Sequence, residues 1–162
     1  DEVDLAAIRA AARSFDYAIT RLRTPDAGLD FLLLSEIRAS PSRRYWGTYL
    51  FRRRSSSRVV VQVPHPLAEE NTLEYGLALF EKLDAACLMV AGAHPACNPD
   101  GSADVVLPTN LSTLFTLVSQ VVLRETRDSS HLVVQVRALG ARPRSAADDV
   151  DALIAVSGGV LV

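Results

Sequence analysis

The stretch Arg58-Val59-Val60-Val61-Gln62-Val63-Pro64-His65-Pro66 decides how the rest of the chain is read. Four valines interrupted only by Gln62 leave no polar face, the pattern of a strand covered on both sides. Pro64 ends the run. A helix is expected next, with Asn71 or Thr72 as its N-cap and Leu73, Leu77, Phe80 and Leu83 on one face. Residues 87–91 read as a second apolar strand, ended by Gly92, and a loop runs from His94 to Pro108. Leu111, Leu114, Phe115, Val118, Val121 and Val122 recur at helical spacing. Residues 132–136 read as a third apolar strand and 153–156 as a fourth, followed by Ser157-Gly158-Gly159. Apolar strands alternating with helices predict an α/β fold: a largely parallel sheet with helices on both faces. In such sheets ligand sites form at the carboxyl ends of strands.

Toward the N-terminus, Leu5, Ile8, Ala12 and Phe15 predict an amphipathic helix over 2–20. Thr24-Pro25-Asp26-Ala27-Gly28 breaks the chain, 31–36 and 46–52 are strand candidates, and Ser40-Pro41-Ser42 is a turn. The expected organisation is one domain over 1–162, with 1–57 an N-terminal helix and edge strands and 58–162 a parallel βαβ core. The apolar ending at 155–162 predicts that further elements lie beyond Val162, so that the domain is truncated there.

At 162 residues, 49% apolar and 22% charged, the chain has the size and composition of one folded domain. A formal charge of −2 gives no bulk attraction to nucleic acid or an anionic membrane, and neither is expected as a partner. No apolar stretch reaches the roughly 18 residues of a membrane span. Two cysteines, Cys87 and Cys97, are too few for a disulfide framework. With no signal peptide visible in the acidic N-terminus, the cytoplasm is the expected location.

The loop Pro64-His65-Pro66-Leu67-Ala68-Glu69-Glu70-Asn71-Thr72 places one imidazole and two carboxylates at the carboxyl edge of the sheet. A His and a carboxylate a few residues apart on such a loop can bind a divalent metal, usually zinc. Pro64 and Pro66 hold the backbone around His65 extended. The same segment also reads as a helix start with two exposed acids, which favour a helix N-terminus. His94, after Ala91-Gly92-Ala93, falls on the same edge, whereas His131 opens the strand 132–136 at the opposite end. Asp104 is a candidate acid behind a metal-bound histidine. Arg43-Arg44 and Arg52-Arg53-Arg54 could grip an anion, although a charge run is usually a solvated face. There is no phosphate-binding glycine loop, nucleophile elbow or Cys-x-x-Cys.

Val61-Gln62-Val63-Pro64-His65-Pro66, Glu70-Asn71-Thr72, Ala91-Gly92-Ala93-His94 and Val133-Val134-Gln135-Val136-Arg137 occur in an order that resembles zinc-dependent hydrolases of the carboxypeptidase-like fold. In loop spacing the resemblance is closest to the poly-gamma-glutamate hydrolase group, over residues 58–157. It implies His65 and Glu70 as the first two ligands of a Zn2+ ion. Asn71, Thr72 and Arg137 are then the expected contacts for a small-molecule or peptide substrate. The third ligand of that group is a His ending a later strand, where this chain has Arg137, and arginine does not ligate zinc. The group's catalytic carboxylate would lie beyond Val162. Two expectations follow. In one, His94 replaces the missing ligand and the protein is a metal-dependent hydrolase of an amide bond in a peptide or amino-acid conjugate. In the other, it is a catalytically inactive binding or regulatory domain, with Arg137 supplying a fixed cation for a carboxylate or phosphate.

Overall fold

The computed structural model describes residues 5–25, 28–39, 44–125 and 131–138. The alanine-rich segment Leu5–Arg13 forms helix α1. It stops at Ser14-Phe15-Asp16, where the Ser14 hydroxyl donates to the Ala11 carbonyl (2.7 Å) and Asp16 adopts a φ of 61°. Beyond this turn the alternating residues Tyr17–Arg23 form strand β1. The helix expected over 2–20 is therefore a short helix followed by a strand, with residues 1–4 outside the described residues.

The remaining elements are β2 (Asp30–Glu36), β3 (Thr48–Arg52), β4 (Val59–Val63), α2 (Thr72–Lys82), β5 (Cys87–Val90), α3 (Leu114–Glu125) and β6 (Leu132–Gln135). The six strands form one sheet in the order β1-β2-β3-β5-β4-β6. Among the described residues, β1–β2, β2–β3 and β3–β5 pair antiparallel, while β5–β4 and β4–β6 pair parallel. This overturns the expected largely parallel sheet flanked by helices on both faces. The sheet is mixed and mostly antiparallel. The reason lies in the N-terminal half, where the connections 24–29 and 37–47 are too short for a crossover of about a dozen residues or more and so return each strand beside its predecessor. The strand expected at 153–156 and the turn at 40–42 lie outside the described residues.

Two clusters form the core, one on each face of β4. Val60 joins Tyr17, Tyr49, Met89 and Phe115 on one side, with Val118 and Val122 of α3 packed against them. Val61 and Val63 join Phe31, Phe80, Ala85 and Leu88 on the other. Gln62 is buried but satisfied: its side-chain amide donates to Ser119 Oγ (3.0 Å), and its carbonyl oxygen accepts from Gln135 (3.3 Å). Helix α2 buries Thr72, Gly76 and Phe80, while Leu73, Leu77 and Leu83 stay exposed, which corrects the expected apolar face. Gly76 explains the rotation, because the Val63 side chain occupies the place a Cβ would need. Helix α3 begins at Leu114, since the Thr113 hydroxyl accepts the N–H of Thr116 (3.1 Å) and caps it; Leu111 is exposed. No helix among the described residues is long and apolar enough to cross a membrane.

Candidate functional site

Strand β4 delivers His65 to the carboxyl edge of the parallel pair, and the loop after it turns at once. The His65 carbonyl accepts the N–H groups of both Ala68 (3.1 Å) and Glu69 (3.0 Å). The Thr72 hydroxyl, at the start of α2, donates to the Glu69 carbonyl (2.8 Å). This single helical turn returns Glu69, four residues on, to the imidazole. Its Oε1 is 2.9 Å from His65 Nδ1.

Two further segments complete the cluster. The loop before α3 brings Asp104 to the far side of the ring, with Oδ1 2.9 Å from His65 Nε2. That carboxylate is held by the Val106 N–H (3.1 Å), and the Asp104 carbonyl accepts from Asn110 (2.9 Å). After β6, whose register beside β4 carries Val136 N–H to the Gln62 carbonyl (2.8 Å), Arg137 reaches back over the loop. Its Nε donates to Glu69 Oε1 (2.9 Å) and Oε2 (3.2 Å), its Nη2 lies 2.8 Å from Oε1, and the Ala138 N–H donates to Oε2 (2.8 Å).

The guanidinium also lies 3.0 Å from His65 Nδ1 through the same Nη2. Arginine only donates, so with a neutral ring Nδ1 accepts and the ring proton is on Nε2, donated to Asp104. The two hydrogens of Nη2 then serve His65 and Glu69, one each. In the imidazolium form Nδ1–H donates to Glu69, and Nη2 turns wholly to that carboxylate. Both carboxylates ionise below their ordinary range. Burial pushes Glu69 up, but bonds from Arg137, the Ala138 N–H and His65 together outweigh it. For Asp104 burial is likewise overcome by bonds from His65 and the Val106 N–H.

His65 is buried, as expected of a site residue, and of the sequence candidates Asp104 and Arg137 meet it while Glu70, His94, Asn71 and Thr72 do not. Glu70 is exposed, because five residues along a helical turn point away from where the fourth points. His94 is exposed, and its Nδ1 accepts the Ala96 N–H (3.1 Å). Asn71 is exposed at a φ of 60° and makes no side-chain cap, while Thr72 is buried and spent on the Glu69 carbonyl. Arg137 is at the cluster. Glu69, which sequence reasoning passed over for its neighbour, is the carboxylate that meets His65; the i, i+4 spacing was the signal.

A zinc ion does not fit this donor set. Glu69 and Asp104 lie on opposite sides of the imidazole, so they cannot converge on one ion. Nδ1 and Oε1 are in direct contact at 2.9 Å, and Arg137 Nη2 packs against both, at 3.0 and 2.8 Å. Among the described residues, no group of three or more His, Cys, Asp or Glu side chains is placed to hold a metal ion. Cys87 and Cys97 are free thiols, the first buried and the second exposed. Comparison with family models, with curated proteins and with solved structures found no match.

Proposed function

We propose that this chain is a non-catalytic binding domain in which Arg137, anchored at the carboxyl edge of β4, receives a carboxylate or phosphate. The observation that carries this reading is the triangle of His65 Nδ1, Glu69 Oε1 and Arg137 Nη2, with sides of 2.9, 2.8 and 3.0 Å. A guanidinium cation already neutralises the carboxylate and contacts the imidazole nitrogen that would have to share a metal. The contacts at both ring nitrogens leave none open to take a proton from a substrate or water. Arg137 spends Nε and Nη2 inside the cluster, and its side chain is 42% exposed. The two Nη1 hydrogens are left to donate to an oxygen of an incoming anion.

Titration with glutarate and with inorganic phosphate, followed by heat and by the Arg137 Nε–H resonance, tests this. The expected result is saturable binding that shifts that resonance and disappears in Arg137→Ala. Zinc-dependent cleavage of an amide substrate, lost in His65→Ala, would overturn it in favour of a metal-dependent hydrolase.

A further inference from the structure

The opposite edge of the sheet carries a second concentration of charge. β1 ends there at Arg23, β2 begins at Asp30, β3 ends at Arg52, and Arg53 and Arg54 follow. Together with Arg21 and Asp84 they line a cleft of about 480 Å³. Five guanidinium groups face two carboxylates in its wall, an excess of three positive charges in a chain whose overall charge is −2.

Three of the guanidinium groups, those of Arg21, Arg52 and Arg53, are held in place. The Arg52 side chain is only 7% exposed and lies over the rings of Phe31 and Phe80, 5.0 and 4.9 Å from their centroids. Its Nε bonds the Ala85 carbonyl (3.2 Å) and pairs with Asp84 (3.1 Å). Asp30 holds Arg21 through Nε (2.8 Å) and Nη2 (2.5 Å), and Arg53 through Nη1 (3.1 Å). The Arg21 guanidinium bonded to it, with Arg53 and Arg23 nearby, keeps the Asp30 carboxyl below its ordinary range. Arg54 is exposed at a φ of 60°, a backbone conformation unfavourable for a side chain of this kind. Arg23 is also exposed and lines the same cleft.

We propose that this cleft binds a phosphoanhydride chain, with Arg23 and Arg54 making the outer contacts and Arg52 and Arg53 the fixed inner charges. Two features select this class among anions. An excess of three charges within one small cleft is matched by linked phosphoryl groups, whose charge is denser than that of carboxylates spread along a peptide. Guanidinium forks also match phosphoryl oxygens. The aromatic rings at the cleft lie beneath Arg52, which leaves no ring face lining it for a base to stack on, so the chain of phosphates is what is recognised.

The test is calorimetric titration of the full chain with pyrophosphate at low salt, with ADP and a hexaglutamate peptide in parallel. Pyrophosphate should bind with an affinity that falls as salt is raised, and Arg23→Ala/Arg54→Ala should weaken it about tenfold or more, the cost of two exposed charge-assisted contacts. Both replaced residues are exposed, so folding is checked by an unchanged circular dichroism spectrum. The titrations are made in an Arg137→Ala background, which removes the anion site proposed at the other edge, so that any saturable pyrophosphate binding that remains belongs to this cleft. ADP should bind no more tightly than pyrophosphate, and tighter ADP binding would contradict recognition of the phosphate chain alone. No binding of pyrophosphate, an affinity unaffected by the double replacement, or hexaglutamate binding as tightly would overturn the proposal.

Discussion

Replacing Arg137 by alanine removes the fork on Glu69 and the contact with His65 Nδ1, while leaving the Ala138 N–H and the Asp104–His65 bond in place. Glu69 is 14% exposed and loses its strongest partner. A hydrogen bond to a charged group contributes about 1.5–3 kcal/mol when shielded from water. The Arg137 side chain is 42% exposed, so solvent screens part of that, and the expected loss at pH 7 is about 1–2 kcal/mol. Urea unfolding followed by the fluorescence of Trp46, the one tryptophan, measures it. The loss should also depend on pH with a definite sign. Glu69 ionises lower in the folded chain than in the unfolded one, so its stabilisation is complete above about pH 4.5 and disappears as pH falls through the lowered folded value. Without Arg137 the folded value returns upward. The difference between parent and variant should therefore be larger at pH 7 than at an acid pH below the lowered folded value. A difference that stays the same at both pH values, or that is below about 0.5 kcal/mol at pH 7, would refute the ion-pair reasoning.

Other perturbations read different parts of the chain. Glu36 accepts the N–H groups of Arg44, Tyr45 and Trp46, each at 3.1 Å, so Glu36→Ala should destabilise by about 1–3 kcal/mol in thermal unfolding. Gly76→Ala forces a methyl group into the Val63 side chain, and a loss of about 1–3 kcal/mol is expected by urea unfolding. Cys97 should react with a maleimide at once in the native protein. Cys87, buried and with its thiol pushed up to about 12, should react only after denaturation, a difference that mass spectrometry of the labelled chain resolves.

The parts of the fold legible in the sequence are those where local pattern and tertiary setting agree. Val59–Val63, Cys87–Val90 and Leu132–Gln135 are short apolar runs and form strands where expected. What misled was extending their parallel pairing to the whole sheet. The strand Tyr17–Arg23 was hidden, because the helical spacing of Leu5, Ile8, Ala12 and Phe15 runs into it without a proline or glycine; the break is made by Asp16 in a left-handed conformation, which the sequence does not mark. At the site, His65 was visible from its place after β4. Glu69 was not chosen over Glu70, since that choice depends on the turn closed by the His65 carbonyl and the Thr72 hydroxyl. Asp104 and Arg137, both candidates in the sequence, come from segments 39 and 72 residues away, and the fold brings them to one imidazole as hydrogen-bond partners rather than around a metal.

The most direct measurement is the zinc content of the full chain, by elemental analysis after exposure to zinc and dialysis, with His65→Ala alongside. With the Arg137 guanidinium bonded to Glu69 and against His65 Nδ1, neither protein should retain zinc. About one zinc per chain in the parent, lost in His65→Ala, would contradict the binding-domain reading and show that Arg137 yields its place to a metal.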